Sequence, residues 1–172
     1  EITDIALSSM REKLAGMASD ERVSHEPQQR KLVTVLFADV SGFTAMAETM
    51  DHEIVNSVIN SLWSRVDKAI HNHSGRIDKH IGDAVMAIFG APVPRPDSAK
   101  VACLTALEVQ RQLDEHYADA QAQGIPRFVT RIGLNTGKMI VGNIGHAQRL
   151  DYTVIGDTVN LAARAAGLAK SG

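Results

Sequence analysis

The sequence is poor in cysteine, in aromatic residues, in net charge and in long apolar runs. Its single cysteine, Cys103, cannot form an internal disulfide, which excludes a disulfide-stapled scaffold. Aromatic residues make up 4% of the chain and the formal net charge is −2, so neither a base-stacking platform nor an overall positive field indicates nucleic-acid binding. The longest apolar runs, residues 33–38 and 84–89, are too short to span a bilayer, so this segment is expected to make no direct membrane contact.

The start of the chain bears on the cellular compartment. The acidic residues Glu1 and Asp4 occupy the region where a signal peptide would be positively charged. The first residue is Glu1 and not Met, which is typical of a segment taken from a longer protein. We therefore expect a cytoplasmic domain, or one on the cytoplasmic face of a longer membrane-anchored protein, with Cys103 as a small buried hydrophobic residue.

The composition that remains is that of an ordinary globular domain. Hydrophobic residues make up 44% and charged residues 22% of 172 residues, enough for one domain with its own core. Near the start, four apolar residues repeat at helical spacing: Leu7, Met10, Leu14 and Met17. Residues 19–31 are polar and contain Pro27, so we predict a helical lead-in and linker over residues 1–31 and a domain over residues 32–172.

The apolar patterns of residues 32–172 predict alternating strands and helices. Residues 32–39 read as a strand buried on both faces, and residues 76–90 as two strands around a tight turn at Gly82. Helical periods cover residues 43–73, capped at Asp51 and closed at Gly75, and residues 98–122. The second helix is expected to bury the following apolar residues: Val101, Leu104, Leu107, Leu113 and Tyr117. Strands joined by glycine-containing turns are predicted at 127–135, 139–144 and 150–155, and a last helix at 157–169. The β-α-β-β-α-β order predicts a ferredoxin-like α/β (α+β) sandwich with an added hairpin and helix.

Two aspartates occupy positions suited to chemistry. Asp39 ends the first predicted strand, and Asp83 lies at the tip of the hairpin. In a β-α-β-β unit the first strand and the hairpin can be neighbours, so the two carboxylates can converge and share divalent cations such as Mg²⁺ or Mn²⁺. A paired metal site suits displacement at phosphorus. From spacing alone, each aspartate is equally compatible with a simple turn or strand-end residue.

Three further residues are candidates for binding an anionic substrate. Lys79 precedes Asp83 within the hairpin, and Asn160 and Arg164 share one face of the last helix. Such a face could present an amide and a guanidinium to a phosphate or a ribose, but a solvated helix face and an exposed strand lysine are the ordinary alternatives. The P-loop-like stretch at 133–139 lacks one intervening residue and the Ser/Thr, and the histidines at 71, 73 and 80 lack zinc spacing.

Taken together, three segments resemble the catalytic domain of the class III nucleotidyl cyclases, the adenylate/guanylate cyclase family. Residues 37–44, Phe-Ala-Asp-Val-Ser-Gly-Phe-Thr, resemble its first metal motif. Residues 78–89, Asp-Lys-His-Ile-Gly-Asp-Ala-Val-Met-Ala-Ile-Phe, resemble the second. Residues 152–164, Tyr-Thr-Val-Ile-Gly-Asp-Thr-Val-Asn-Leu-Ala-Ala-Arg, resemble its purine and transition-state motif.

The resemblance implies an adenylate cyclase that converts ATP into 3′,5′-cyclic AMP and pyrophosphate. It implies that Asp39, Asp83 and the carbonyl of Val40 bind two Mg²⁺ or Mn²⁺ ions. It further implies that the turn and helix start with Phe37, Gly42, Phe43 and Thr44 offer backbone N–H groups to the triphosphate. Attack of the 3′-oxygen on the α-phosphorus is then metal-assisted and needs no separate catalytic triad.

The residues at the purine positions of the family favour ATP. A lysine donor at Lys79 facing N1 and an oxygen acceptor at Thr153 facing N6 fit adenine, whereas guanylate cyclases of this family typically carry a carboxylate at the lysine position. With a threonine at 153, the sequence resembles the subgroup of soluble, bicarbonate-responsive cyclases.

The resemblance also implies a head-to-tail homodimer with shared sites. One subunit supplies the aspartates, and the other supplies the purine residues together with Asn160, which orients the ribose, and Arg164, which stabilises charge on the transferred phosphate. Family domains continue into further strands, so we expect residues 32–172 to be a catalytic domain without its C-terminal strands. The lead-in helix resembles the connection to an upstream sensor or regulatory domain. The alternatives are a catalytically silent cyclase-fold module that serves dimerisation and regulation, and a guanylate cyclase.

Overall fold

The computed structural model describes residues 28–41, 48, 51–121, 129–146 and 149–170. The predicted lead-in helix and the residues around Gly42 lie outside these ranges. In chain order the elements are as follows: β1 (Gln29–Ser41), α1 (His52–Asn72), β2 (Arg76–Ile81), β3 (Ala84–Phe89), α2 (Ser98–Gln121), β4 (Val129–His146), β5 (Arg149–Ile155) and α3 (Asp157–Leu168). The first strand begins at Gln29, within the stretch predicted to be a linker, because residues 29–31 continue the pairing with β4.

The strands form one five-stranded sheet in the order β2-β3-β1-β4-β5, and every pair is antiparallel. The first four strands have the order that a β-α-β-β-α-β sandwich requires, so the predicted ferredoxin-like fold is confirmed. The added strand β5 extends the sheet beyond β4. Strand β1 is central, and its partners on either side are β3 and β4.

Strand β1 is buried on both faces, as its unbroken apolar run predicted. Leu36 and Ala38 belong to a core cluster formed with α1 and α2. Val33 and Val35 alternate with them and belong to a second cluster, which includes Ala162 of α3. We refer to these surfaces of the sheet as the two-helix face and the α3 face.

Helix α1 begins as predicted and ends by a different device. Asp51 is the N-cap, and its Oδ1 accepts a hydrogen bond of 2.8 Å from the Glu53 amide. At the other end Ser74, with φ 58°, takes the left-handed conformation expected of a glycine. Gly75 is required for space instead, because a Cβ there would lie 2.6 Å from Cε1 of Phe89.

Helix α2 buries Val101, Leu113 and Tyr117 as predicted, but the rest of its buried stripe differs from the prediction. Its buried residues repeat at three and four positions: Val101, Ala102, Thr105, Val109, Leu113 and Tyr117. Leu104 and Leu107 are 46% and 68% exposed, and Cys103 is exposed as well, so the prediction that these three residues are buried is wrong. The small residues Ala102 and Thr105 are fully buried, whereas Cys103 and Leu107 line an open groove together with Ile132 and Leu134.

Strand β4 is continuous where two strands and a glycine turn were predicted. It pairs with β1 without interruption from Val129 to Val141, and Gly137 lies within the ladder opposite Val33. A Cβ on Gly137 would lie 2.2 Å from Oγ1 of Thr158 at the start of α3. The glycine therefore serves the close packing of α3 on the sheet and does not form a turn.

No helix among the described residues is long and apolar enough to cross a membrane.

Candidate active site

The two predicted aspartates are brought together at the end of β1. Asp39 lies opposite Ala84, the first residue of β3, and the Val40 amide donates a 2.9 Å hydrogen bond to the Asp83 carbonyl. Gly82, with φ 61°, allows the tight turn that presents Asp83. Phe37 packs against the α3-face cluster, so Asp39, two residues later, lies on the same face of the sheet.

The electrostatics of Asp39 show that the two carboxylates interact. Partial burial raises the pKa of Asp39 above its ordinary value of 3.8, and the nearby charge of Asp83 raises it further. Arg131 opposes this effect, since it lies directly across from Asp39 in β4 and lowers the pKa. A half-buried pair of like charges is the arrangement that a bound cation would relieve.

The donor set at this position fits a hard divalent cation. It consists of two carboxylates and the Val40 carbonyl, which in an antiparallel ladder points to the same side as the Val40 amide, towards Asp83. Oxygen-only donors are those that Mg²⁺ and Mn²⁺ prefer. Within the described ranges, no group of three or more His, Cys, Asp or Glu side chains could hold a metal ion.

The predicted triphosphate-binding turn follows directly from β1. Phe37 is half-buried in the strand before the aspartate. Gly42, Phe43 and Thr44 lie outside the described residues, and their roles stay a prediction.

Lys79 lies on the α3 face, like Asp39, because of an irregularity in β2. The register between β2 and β3 shifts between Ile77 and Lys79, which leaves Asp78 as an extra residue and places Lys79 opposite Met86 of the α3-face cluster. The Asp78 side chain is 1% exposed, and its Oδ2 lies 3.2 Å from the Lys79 Nζ. This is an ion pair without hydrogen-bond alignment, because Asp78 Oδ2 has no hydrogen-bond partner in the part of the chain that the structure describes.

Thr153 lies half-buried in β5, next to Tyr152. Arg76, the first residue of β2, donates a 3.3 Å hydrogen bond from Nη2 to the Tyr152 carbonyl, and its guanidinium carbon lies 4.4 Å from the centroid of the Tyr152 ring. The strands that carry the two predicted purine residues, Lys79 and Thr153, are therefore in contact.

Asn160 and Arg164 share the outer surface of α3. The helix packs on the sheet through Thr158, Ala162 and Ala166, whereas Asn160 and Arg164 are exposed. Among the described residues, no hydrogen bond or ion pair joins either side chain to Asp39 or Asp83. The structure thus confirms that the two residues share an exposed helix face, and their roles in the site stay a prediction.

Sequence reasoning missed four residues near these positions: Arg131, Asp78, Arg76 and Tyr152. Arg131 is revealed only by the register of β4 with β1, and Arg76 only by a contact between the two edge strands. Asp78 and Tyr152 stand inside the motifs that carried the resemblance, yet their contacts depend on the tertiary structure.

The histidines set aside in the sequence have separate partners. His71 and His73 contact backbone carbonyls of their own helix through Nδ1, and His80 Nε2 lies 3.3 Å from Oδ2 of Asp67, beside the Trp63 ring.

The fold and the site define a ferredoxin-like α/β domain with paired carboxylates at the end of its central strand. The family model described as the adenylate and guanylate cyclase catalytic domain matches residues 25–172. This chain belongs to that family, and the recognition made from its three motifs is confirmed.

Relatives and solved structures of known name agree with this assignment. The chain is 37% identical over 141 residues to adenylate cyclase 1 of Rhizobium meliloti (strain 1021) and 37% identical over 144 residues to the adenylate cyclase of Anabaena cylindrica. These alignments cover 82% and 80% of this chain but 21% and 27% of the relatives, so the chain spans about a quarter of the length of the curated relatives it matches.

Among solved structures, the adenylyl cyclase CyaB from P. aeruginosa superimposes with a TM-score of 0.81 at 34% identity, covering 84% of this chain and 76% of that one. The guanylyl cyclase Cya2 superimposes with a TM-score of 0.79, also at 34% identity, covering 84% and 73%.

Proposed function

We propose that this domain is an adenylate cyclase, which converts ATP into 3′,5′-cyclic AMP and pyrophosphate. The observation that carries the proposal is the convergence of Asp39 and Asp83 at the end of β1, in a chain with a lysine at the purine position of its family. The relatives named adenylate cyclases support the same activity.

We infer that Asp39, Asp83 and the Val40 carbonyl hold two Mg²⁺ or Mn²⁺ ions. When bound, such ions activate the 3′-hydroxyl and neutralise charge on the triphosphate. The support is the donor set and the raised pKa of Asp39, since burial and Asp83 both disfavour the metal-free carboxylate.

The remaining roles fall to the chain's own side chains and backbone. Lys79 donates to N1 of adenine, and Thr153 accepts from N6. Asn160 orients the ribose, and Arg164 stabilises the charge that develops on the transferred phosphate. The backbone from Phe37 through Gly42, Phe43 and Thr44 donates to the triphosphate. The threonine at 153 supports the further proposal that the domain belongs to the bicarbonate-responsive subgroup.

The sites are shared across a head-to-tail homodimer in this proposal. Asn160 and Arg164 lie on the exposed side of α3, where they are accessible to a second copy of the chain. Apolar residues are exposed near both halves of the site, Ile81 at 50% and Leu161 at 46%, which is consistent with burial against a partner. We further propose a cytoplasmic location, where ATP is available, and control by an upstream domain through residues 1–31.

The proposed activity is tested by turnover of ATP in the presence of Mn²⁺, with GTP in competition, in the full-length protein. We expect cyclic AMP as the main product. Lys79→Ala is expected to lower kcat/KM for ATP about 10–100-fold, because a hydrogen bond from a charged donor contributes about 1.5–3 kcal/mol. Lys68→Ala, which changes an exposed lysine of α1 on the two-helix side, is the matched control and should leave kcat/KM unchanged.

Two outcomes of this assay favour the alternatives. Turnover of GTP in preference to ATP would make the domain a guanylate cyclase. No turnover of either nucleotide would favour a silent dimerisation module.

The metal site has a readout that needs no turnover. Mn²⁺ at about 100-fold above its Kd should stabilise the wild-type protein by about 2.7 kcal/mol, seen as a rise in Tm. Asp39→Asn is expected to lose this rise, whereas Asp97→Asn, in an exposed loop ion pair with Arg95, should keep it. An equal Mn²⁺ response in the Asp39→Asn and wild-type proteins would contradict the assignment.

The Asp39→Asn variant is expected to be more stable than the wild type when EDTA removes all divalent ions. A carboxyl whose pKa is raised on folding holds its proton more tightly in the folded state, so the wild type loses stability as the pH rises from about 3.8 through the raised value. Asn cannot ionise and avoids this loss. The difference in Tm should therefore be present at neutral pH and vanish at acid pH, where Asp39 is protonated.

A further inference from the structure

Strands β2 and β5 are the two ends of the sheet order, yet they touch through Arg76 and Tyr152. Four inter-strand steps of ~4.8 Å would separate them by about 19 Å in a flat sheet. The pairing of β4 with β1 ends at Val141, and the rest of β4 pairs only with β5. The β4–β5 hairpin must therefore fold over the α3 face to bring Tyr152 to Arg76.

The contact has two separate components. Arg76 Nη2 donates to the Tyr152 carbonyl at 3.3 Å, and the guanidinium carbon lies 4.4 Å from the ring centroid, within the range of a cation–π interaction. Arg76 lies opposite Ile88, and Tyr152 packs against the cluster that contains Ile88, so both side chains lie on the α3 face. A planar guanidinium can make both contacts at once, which a lysine cannot do.

The contact joins the two strands that carry the residues proposed to select the purine. The Tyr152 carbonyl belongs to the peptide bond that leads into Thr153, so Arg76 holds that peptide plane directly. Arg76 also begins the strand that carries Lys79, with the register shift at Asp78 between them. Asp78 holds the Lys79 ammonium from its own side at 3.2 Å. The distance between Lys79 and Thr153 thus depends on the Arg76–Tyr152 contact.

We propose that Arg76 and Tyr152 are positioning residues for nucleotide selection, which fix the separation of Lys79 and Thr153 by joining β2 to the folded-over β4–β5 hairpin. This inference rests on the proposed adenylate cyclase activity. Beyond that activity, it predicts that two residues which do not touch the nucleotide determine the preference for ATP over GTP. Two hydrogen-bonding groups discriminate between purines only when their spacing matches the base edge.

The test is steady-state kinetics of the full-length protein with ATP and with GTP, for Arg76→Ala and Tyr152→Leu. Each variant is expected to raise KM for ATP about tenfold and to lower the preference for ATP over GTP by a similar factor, with a smaller change in kcat. Arg76→Lys keeps the cation but loses the planar guanidinium, and it should fall between the wild type and the truncations. Tyr152→Phe keeps both the ring and the backbone carbonyl, and it should match the wild type. Arg95→Ala, whose guanidinium binds Asp97 in an exposed loop, is the control and should match the wild type.

A double variant separates positioning from general damage. Arg76→Ala combined with Tyr152→Leu should be no worse in KM than Arg76→Ala alone, because Arg76→Ala already removes both the hydrogen bond and the cation–π contact. The Tm rise with Mn²⁺ should stay as in the wild type, since Asp83 lies at the turn of the β2–β3 hairpin and Arg76 at its opposite end. If Arg76→Ala fails to fold, Arg76→Lys and Tyr152→Leu supply the same comparison.

The inference is overturned if wild-type turnover is present and the truncated variants keep the wild-type KM and ATP preference. It is equally overturned if they lose kcat alone in parallel with Tm. Absence of turnover in the wild type contradicts the proposed activity itself and removes the basis of this inference with it, so the two failures are distinguished by the wild-type measurement.

Discussion

Co-expressed Asp83→Ala and Arg164→Ala chains are expected to recover about a quarter of wild-type cyclase activity, although each variant alone loses about 10²–10³-fold or more. The reason is the proposed division of each site between two subunits. Random pairing makes half of the dimers mixed, and a mixed dimer has one site with both lesions and one site with none. The measurement is cyclic AMP production per dimer, with each single variant assayed alongside.

A second pair of variants provides the control for this recovery. Asp39→Ala and Asp83→Ala both change the aspartate half of the site, so a mixed dimer has one defect in each of its two sites. This pair should show no recovery under the same conditions. Recovery in the control pair, or no recovery in the Asp83/Arg164 pair, would contradict the shared-site arrangement.

Gly133→Ala is expected to have the largest effect on stability. A Cβ at this position in β4 would lie 2.2 Å from the Ala162 carbonyl oxygen and 2.2 Å from the Ala166 amide nitrogen. These are backbone atoms of α3, so no side-chain rotation relieves the clash and the helix must move away from the sheet. Overpacking of this kind costs about 3 kcal/mol or more, which for a domain of this size lowers Tm by about 6–12 °C.

Gly167→Ala is the matched control for that prediction. Gly167 lies in α3 itself, and a Cβ there would meet no atom within 4 Å. Alanine is the better helix former, so this variant should keep or raise the free energy of unfolding, by up to about 1 kcal/mol. Gly133→Ala should also reduce cyclase activity below its unfolding temperature, because the displaced helix carries Asn160 and Arg164. Equal Tm values for the two variants would show that α3 does not pack on the sheet as described.

Local patterns were sufficient for most of the fold. The unbroken apolar run around Val35 predicted a central strand, and Asp51 predicted the start of α1, because both signals depend on neighbours in sequence. The prediction failed at Gly137 and at Leu107. A glycine in a strand reads as a turn when the partner that requires the space, Thr158 of α3, is distant in sequence. An apolar residue in a helix reads as buried when smaller neighbours provide the actual contact with the sheet.

The residues of the candidate site could be predicted from the sequence, but their electrostatic interactions could not. The sequence motifs identified the family and named Asp39, Asp83 and Lys79, and the β-α-β-β order made it reasonable to expect that the aspartates converge. Spacing alone left each of them open to an ordinary structural reading. The raised pKa of Asp39 and the opposing influence of Arg131 could not be read from the chain, because both depend on which residues lie opposite Asp39 in β3 and β4.

The sequence by itself determined the order of strands and helices, the family, and the chemical types of the groups that line the site. Those properties are set by side-chain chemistry and by periods of two and 3.6 residues, which are local. Only the tertiary structure decided that β4 is continuous and that Arg76 meets Tyr152 across the sheet. Each of these depends on how far the strands bend and how closely α3 approaches, and such distances are fixed by packing between segments far apart in the chain.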